Sequence, residues 1–342
     1  IVDGTRTRSA NSKTTSFGGG TLLAVHTTPT NPRWEQLFGF RNLVRGSGRY
    51  ELSYADSEYA AVLRYPEDRT IRINNPESRR YRMRLLSFGS AALIRNRSGA
   101  GTAIAFGWDL GRFIKRAQNN RDHEANRTYV NDYEPSVDSV LRFLMEIYRS
   151  GEPRAVTLHP APDGQALSVV ISHDVDYAGS LANSLEYARY QRSAGYGATY
   201  FMQTKYFRDF FELASHSVSH SDMFARLPVG NYRESYPRYQ PRIVEFFYTR
   251  DASIMGELRV SKHLLESLSR SVVVSFRPGF LANPFALPQS LETAGYRYSS
   301  AVTANDVMTH LPFRQTFDRL YDAETGIFEF PIAVEDEKDP PM

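Results

Sequence analysis

Short apolar runs and helical spacings alternate along most of the chain. Residues 1–18 are polar and rich in Ser and Thr, and they are predicted to form a loose tail. From Gly19 onward come short apolar strands, "TLLAVH" and "AALI" among them, and the segment closes with "SVDSVLRFLMEIYRSG". In that closing stretch apolar residues recur at helical spacing between Ser136, a suitable N-cap, and Gly151. Strands that alternate with helices predict an α/β domain over residues 19–150.

A proline-containing stretch separates this first segment from a second one. "EPRAVTLHPAPDGQA" contains three prolines, so residues 151–164 are predicted to be a linker. A second α/β series opens with "LSVVISHDVD" and continues with the apolar strands "ATYFMQ", "VVVSFRP", "YRYSSAV" and "IFEFPI". Its clearest predicted helix is "IMGELRVSKHLLESL". We therefore predict a second α/β domain over residues 165–342.

The bulk composition excludes several classes of function. The net charge of the 342 residues is +3 and no block of Lys and Arg occurs, so we expect no nucleic-acid partner. Cysteine is absent, which excludes disulfides, thiolate metal sites and cysteine nucleophiles. Aromatic residues make up 13% of the chain, a content that argues against disorder. No apolar run reaches the roughly 18 residues of a membrane span, so no transmembrane segment is expected.

Acidic and imidazole side chains stand at the ends of two predicted strands. Asp174 and Asp176 follow "LSVVIS", which has the composition of a fully buried parallel strand. In parallel α/β folds the ligand crevice lies outside the carboxyl ends of the strands. His216 and His220 have an i, i+4 spacing, which predicts two imidazoles on one face of a helical turn. Two His and one Asp leave coordination positions open, so the sequence predicts a catalytic site for a divalent metal of the zinc type.

Arg277 ends the apolar strand "SVVVSF", and Pro278 stiffens the turn that follows. One interpretation is that Arg277 forms an ordinary ion pair on the protein surface. The other is that its guanidinium lies beside Asp174 and keeps that carboxylate ionised and oriented. Asp174 in turn could be the N-cap of the next helix, and His173 is interpreted as a hydrogen-bond donor at the strand end and not as a metal ligand. The residues alone leave these alternatives open.

These three stretches, in this order, resemble the motifs of the polysaccharide deacetylases, the NodB-homology domain of carbohydrate esterase family four. The matching residues are Asp174 and Asp176 for the first motif, His216 and His220 in "HSVSH" for the second, and Arg277 and Pro278 for the third. The resemblance covers approximately residues 165–335. It implies a distorted (β/α) barrel with the site at the carboxyl ends of the strands. It also implies metal-dependent hydrolysis of N-acetyl groups from amino sugars in a polysaccharide.

The resemblance further implies a role for each matched residue. One divalent metal, most simply zinc, would be bound by Asp176, His216 and His220. Asp174 would be the general base that accepts a proton from the attacking water, with Arg277 beside it. The backbone N–H of Tyr177 would face the oxyanion that develops during the reaction.

Two further motifs of the family are not matched. The stretch from Tyr298 to Ala301, "YSSA", stands where the family has an acid and a Trp. The histidine that protonates the leaving amine is not placed, because His310, the only histidine after Arg277, lies in a Pro-flanked, loop-like stretch. The deacetylase domain is therefore expected to be truncated at its C-terminal end. A non-catalytic carbohydrate-binding relative is one alternative, and a metal-dependent phosphodiesterase or deacylase of small molecules is another.

The first segment resembles the Rossmann-type, amidotransferase-like or flavodoxin-like α/β domains that precede some bacterial deacetylases. It has no cysteine nucleophile, so it is predicted to be catalytically silent. The domain order, with "HDVDY" and "SHSVSHSDMF", also resembles the biofilm exopolysaccharide deacetylases of the PelA type. This narrower resemblance implies an acetylated amino-sugar polymer as partner and a possible contact with the exopolysaccharide export machinery. It implies an extracytoplasmic location, periplasmic or secreted, in a bacterium.

Overall fold

The computed structural model describes two compact units of the chain. The described residues are 2–3, 20–25, 37–38, 51–53, 63–65, 69–71, 82–84, 93–106, 110–119, 136–159, 161–204, 213–245, 248–307, 309–319 and 323–334. The first unit comprises Ile1–Gln118 and Val130–Leu158, and the second comprises Asn119–Tyr129 and His159–Met342. The division between Leu158 and His159 falls inside the predicted linker.

The first unit is a small α/β arrangement. Its strands are β1 Val2–Asp3, β2 Thr21–Val25, β3 Glu51–Ser53, β4 Leu63–Tyr65, β5 Arg69–Ile71, β6 Arg82–Arg84, β7 Leu93–Ser98 and β8 Gly101–Phe106. Four of them form a sheet in the order β1-β2-β8-β7, in which β7 alone is antiparallel to its neighbour. The remaining strands pair as β3 with β6 and β4 with β5. The predicted loose tail over residues 1–18 lies outside the described residues, except that Val2 and Asp3 form β1.

Two helices accompany these strands in the described residues, α1 Leu110–Gln118 and α2 Ser136–Gly151. The predicted helix that starts at Ser136 is confirmed as α2. Gly151, predicted to lie just past its end, is its last residue. A side chain at Gly151 would collide with Thr21 of β2, so the glycine permits this close approach.

The second unit contains the remaining strands and helices. Its strands are β9 Ser172–Val175, β10 Thr199–Met202, β11 Leu213–Ser215, β12 Arg242–Glu245, β13 Tyr248–Arg250, β14 Ser275–Phe276, β15 Tyr298–Ser299, β16 Phe313–Thr316 and β17 Glu324–Glu329. Its helices are α3 Ala178–Ser193, α4 Ile254–Ser269, α5 Leu287–Thr293 and α6 Ala304–Val307. Strands followed by helices confirm the α/β class.

Seven of these strands form one sheet in the order β16-β17-β15-β14-β11-β10-β9. Every neighbouring pair is parallel except β16 with β17. Strands β12 and β13 form a separate antiparallel pair. The sheet brings the carboxyl ends of its parallel strands to one edge, which is where a ligand crevice is expected in such folds.

One hydrophobic core lies between this sheet and its helices. Val175, Met202 and Phe276 of the sheet belong to it, together with Leu258 and Leu265 of α4. Helix α4 is the predicted helix "IMGELRVSKHLLESL", and it begins where Ser253 Oγ accepts the N–H of Gly256 at 3.1 Å.

The predicted strand "LSVVIS" is corrected by the structure. Strand β9 begins at Ser172, and Leu167, Val169 and Val170 are exposed. Strand β9 is the last strand at one end of the sheet, and its described pairing with β10 starts only at Ser172 and Thr199. The apolar residues before Ser172 therefore precede the paired part of the strand. No helix in the described part of the chain is long and apolar enough to cross a membrane.

Candidate metal centre

The predicted site residues meet at the carboxyl edge of the seven-stranded sheet. Asp174 lies in β9 and Asp176 follows that strand directly. His216 follows β11, and Arg277 follows β14. The backbone N–H of Arg277 donates to the carbonyl oxygen of Ser215 at 3.0 Å, which extends the ladder between β11 and β14 by one residue. One sheet therefore brings together four residues from three separate stretches of the sequence.

Asp176, His216 and His220 bring three potential ligand atoms together. Asp176 Oδ1 lies 3.1 Å from Nε2 of His216 and 3.4 Å from Nε2 of His220. The three ligand atoms all lie within 4.8 Å of one another. Both histidines are buried, whereas Asp176 is partly exposed. Among the described residues this is the one group of His, Cys, Asp and Glu side chains with such a spacing.

The backbone of Arg277 fixes the tautomer of His216. Nδ1 of His216 lies 2.7 Å from the carbonyl oxygen of Arg277. A carbonyl oxygen accepts hydrogen bonds and cannot donate them, so Nδ1 carries the proton and Nε2 faces Asp176. Burial lowers the pKa of His216, but the negative charges of Asp174 and Asp176 outweigh burial and raise the pKa above its usual value. The imidazole therefore lies where a positive charge is favoured.

His220 is held as a neutral imidazole. Burial, and then the charge of His216, lower the pKa of His220 to about 4. Its ring centroid lies 4.7 Å from that of His216 and 4.9 Å from that of Phe280. Gly279 leaves room for the ring, because a Cβ at this position would lie 2.8 Å from Cδ2 of His220. Neutral imidazole is the form that coordinates metals.

The predicted helical turn for the two histidines is wrong. Ser217 and His220 have φ values of +67° and +50°, in the left-handed region that interrupts a right-handed helix. The loop closes on itself, because Ser217 Oγ accepts the N–H of His220 at 3.1 Å. The two imidazoles converge through this loop and not through helical spacing.

Glu257 of α4 supports this loop, and the sequence analysis did not select it. Its Oε2 accepts the N–H groups of Val218 and Ser219, each at 2.8 Å. Its Oε1 accepts the hydroxyl of Tyr239 at 2.8 Å. The carboxyl is fully buried, and burial raises the pKa of Glu257 although these hydrogen bonds act in the opposite direction. The sequence does contain one indication of this role, because Glu257 is a charged residue on the apolar face of the helix that begins "IMGEL".

Arg277 and Asp174 form a partly buried ion pair. Nη1 of Arg277 donates to Asp174 Oδ1 at 2.8 Å, and the guanidinium carbon lies 4.2 Å from the ring centroid of Phe201. The Arg277 side chain is 8% exposed, so the ordinary surface ion pair considered from the sequence is excluded. Held between Asp174 and the Phe201 ring, the guanidinium fixes the orientation of the Asp174 carboxylate.

Two serines complete the surroundings of Arg277. Nη2 donates to Ser172 Oγ at 2.8 Å and to Ser300 Oγ at 2.9 Å, and Nε donates to Ser300 O at 3.3 Å. Ser300 belongs to the stretch that lacks the acid of the fourth family motif. The guanidinium charge is therefore balanced by Asp174, while two hydroxyls and a backbone carbonyl, all neutral, accept from Nη2 and Nε.

Tyr177 is the residue before helix α3, next to Asp176 of the cluster. Its backbone N–H donates to Ser180 Oγ at 3.3 Å, and the Ser180 hydroxyl donates to Tyr177 O at 2.8 Å. The phenol is 60% exposed. The N–H of Tyr177, the predicted oxyanion donor, therefore lies beside the cluster. It already makes a long hydrogen bond at the start of helix α3.

Two other histidines considered from the sequence stand outside the cluster. His173 Nε2 lies 2.6 Å from Nε2 of Gln191, and its ring is stacked on Tyr187 with 5.6 Å between centroids. This agrees with its interpretation as a hydrogen-bonding residue of the strand. His310 is exposed and is not one of the clustered ligands.

The donor set fits a divalent cation. A carboxylate oxygen lies close to two imidazole nitrogens, one with its lone pair fixed by tautomer and one on a ring of low basicity. A cation between these atoms would be bound by both imidazole lone pairs and by the carboxylate at the same time. Two nitrogens and one oxygen leave coordination positions for water and substrate, as in catalytic zinc sites.

The second unit is therefore an α/β domain with a centre of two histidines and one carboxylate, which can hold a metal ion at the carboxyl edge of its parallel strands. Comparisons with protein-family models, curated proteins and solved structures find no match for this chain.

Proposed function

We propose that this chain is a metal-dependent polysaccharide deacetylase, which hydrolyses N-acetyl groups of amino sugars in a polymer. The observation that carries the proposal is the pairing of Asp174 with Arg277 next to the cluster of Asp176, His216 and His220. Asp174 is close enough to the cluster for its charge to raise the pKa of His216. A carboxylate oriented beside a cation site is the arrangement in which a general base can act on an activated water.

The residues divide the chemistry between them. Zinc suits two imidazoles and a carboxylate, and when bound it lowers the pKa of a water and polarises the acetamide carbonyl. Asp174 accepts the proton of the attacking water, and Arg277 holds the Asp174 carboxylate in position through its Nη1 hydrogen bond. The N–H of Tyr177 stabilises the oxyanion, because its 3.3 Å bond to Ser180 is weak enough to be exchanged for a charged acceptor.

The aromatic side chains around the cluster support a sugar as substrate. The Phe280 ring lies against that of His220 at an angle of 51° and is 36% exposed, and Tyr177 is more exposed still. Such rings offer flat apolar faces with little conformational entropy to lose, which suits the apolar faces of pyranose rings. We assign Phe280 and Tyr177 to the binding of the polymer.

We extend the proposal to the architecture of the two units. The mostly parallel sheet with a cluster at its carboxyl edge supports the distorted (β/α) barrel of the NodB-homology domain. The first unit would be a catalytically silent domain of flavodoxin-like type. An extracytoplasmic location and an acetylated exopolysaccharide as partner complete the proposal, as in deacetylases of the PelA type.

The test is release of acetate from acetylated amino-sugar oligomers. We expect release by the wild-type protein, loss after treatment with a chelator, and recovery when zinc is returned. Asp174→Asn should lower the rate by about 100-fold or more, as expected for loss of a general base. Asp251→Asn is the matched control, because Asp251 also pairs with an arginine, Arg242, but on the exposed surface at 2.7 Å.

Two results would contradict the proposal. Binding of the oligomers without release of acetate would favour a non-catalytic carbohydrate-binding protein. Hydrolysis of small amides or phosphodiesters, with no action on the oligomers, would favour a small-molecule hydrolase at the same centre.

A further inference from the structure

Gln203 lies between two of the metal-binding residues on the sheet. It follows β10, and its backbone N–H donates to Val175 O at 3.2 Å. Met202 is paired with Val175 on one side and with Ser215 on the other. The next position along the three strands therefore holds Asp176, Gln203 and His216 side by side.

The side chain of Gln203 is on the face of the sheet that carries the metal centre. Successive side chains along a strand point to opposite faces. Phe201, two residues earlier, packs against the Arg277 guanidinium and has its ring centroid 6.4 Å from that of His216. Met202, between them, belongs to the core on the helix side. Gln203 thus shares the face of Phe201 and His216.

The ligands converge over this position. Asp176 and His216 come from strands on either side of β10, so their backbones are separated by two strand spacings, about 10 Å in all. Their ligand atoms are nevertheless 3.1 Å apart. The two side chains therefore lean toward each other across β10, and Gln203 lies beneath their meeting point.

The amide of Gln203 is buried without a partner. Its exposed fraction is 0%, and within the described part of the chain neither Oε1 nor Nε2 has a hydrogen-bond partner. A buried polar group in this condition carries a desolvation penalty of about 1–3 kcal/mol and requires an explanation. Both atoms are closed to water, but a divalent cation is smaller than a water molecule and binds at shorter distances.

We propose that Gln203 is a fourth protein ligand of the metal centre, whose amide oxygen faces the cation held by Asp176, His216 and His220. The donor set becomes two imidazole nitrogens and two oxygens. This inference rests on the cation of the proposed function and is independent of which amide is hydrolysed. A fourth protein donor leaves room for substrate in the five-coordinate or six-coordinate geometries that zinc and its neighbouring metals adopt.

The experiment measures metal binding and stability in Gln203→Leu. A leucine removes the buried amide, so the melting temperature of the metal-free protein should rise. The dissociation constants for zinc and cobalt should increase roughly tenfold or more, the scale on which supporting groups act in metal sites. The visible spectrum of the cobalt-loaded protein should change, because it reports the number and kind of ligands.

Asn283→Leu is the matched control. Asn283 is also buried, and neither polar atom of its amide has a partner among the described residues, but it lies in the loop after β14 and outside the row of ligands. Its replacement should likewise stabilise the metal-free protein, while the dissociation constants and the cobalt spectrum stay unchanged. Gln203→Glu is a second variant, which should destabilise the metal-free protein and bind zinc more tightly through its added charge.

Wild-type dissociation constants and an unchanged cobalt spectrum in Gln203→Leu would overturn this inference. In that case, acetate release by the wild-type protein would still support the proposed function. If the wild-type protein binds no divalent metal, both the proposed function and the proposed role of Gln203 are wrong.

Discussion

His216 donates its Nδ1 proton to the carbonyl oxygen of Arg277 over 2.7 Å. The same arginine uses its side chain to bind Asp174 at 2.8 Å. One residue therefore orients a proposed metal ligand through its backbone and the proposed general base through its guanidinium. Because the two functions use different atoms, a change of the side chain separates them.

Arg277→Lys should impair catalysis and spare the metal. Lysine keeps one positive charge but cannot reproduce the fork that binds Asp174, Ser172 and Ser300 together. We expect kcat/KM for acetate release to fall by about 100-fold or more. The zinc dissociation constant should stay within about threefold of the wild-type value, since the backbone carbonyl still orients His216. Parallel losses in zinc affinity and activity would indicate a structural role alone.

The sequence predicted the clustered side chains better than the residues that support them. Asp176, His216 and His220 were identified because they fall in short local motifs at predicted strand ends. Glu257 and the proposed ligand Gln203 were missed, since their positions beside the cluster are set by long-range strand pairing and helix packing. A single sequence without its fold does not specify such contacts.

The secondary structure was likewise predictable where local sequence determines it and not where distant contacts do. Helix α4 was predictable, because its N-cap at Ser253 and its apolar spacing are both local. The start of β9 was not, since Val169 and Val170 have strong strand propensity but the described pairing with β10 begins at Ser172. The loop that carries His216 and His220 was also mispredicted, because the φ values of its residues are imposed by tertiary contacts.

Gly279→Ala should weaken metal binding by crowding His220. The added Cβ would lie 2.8 Å from Cδ2 and 3.0 Å from Nε2 of that ring, so the ring has to move. We expect the zinc dissociation constant to rise roughly 10- to 100-fold. Gly197→Ala is the control, because a Cβ there meets nothing within 4 Å. Equal zinc affinity in both variants, measured by competition with a chelating dye, would argue against this packing constraint.

Glu257→Ala should disturb the histidine loop from outside the site. The N–H groups of Val218 and Ser219 would lose their shared acceptor, at about 1–3 kcal/mol for each buried donor left unsatisfied. We expect lower stability and weaker zinc binding, with rescue of both in Glu257→Gln, which keeps an acceptor oxygen.

Glu292→Ala provides the comparison for that experiment. Glu292 also accepts a backbone N–H, that of Gly326 at 2.7 Å, but outside the histidine loop. This variant should lose some stability and keep its zinc affinity. If Glu257→Ala and Glu292→Ala bind zinc equally well, Glu257 has no part in positioning the ligands.

Glu329 should make the stability of the protein fall as the pH rises. Burial raises the pKa of this carboxyl to about 7 from 4.5, although the hydrogen bond from the N–H of Ala301 and the charge of Arg319 act against the shift. The folded state therefore holds a proton that the unfolded state releases. The stabilisation is complete below pH 4.5 and is lost as the pH rises to about 7.

Glu329→Gln tests this pH dependence. The amide oxygen can still accept the N–H of Ala301, which lies 2.6 Å from Oε1 of Glu329. Gln315, which now donates to Oε2 at 2.7 Å, can rotate its amide so that its own oxygen accepts from the new NH₂ group. In urea unfolding between about pH 4.5 and about pH 8, the wild-type protein should lose up to about 3 kcal/mol that the variant retains. Superimposable pH profiles for the two proteins would mean that Glu329 ionises in the folded state as readily as in the unfolded one.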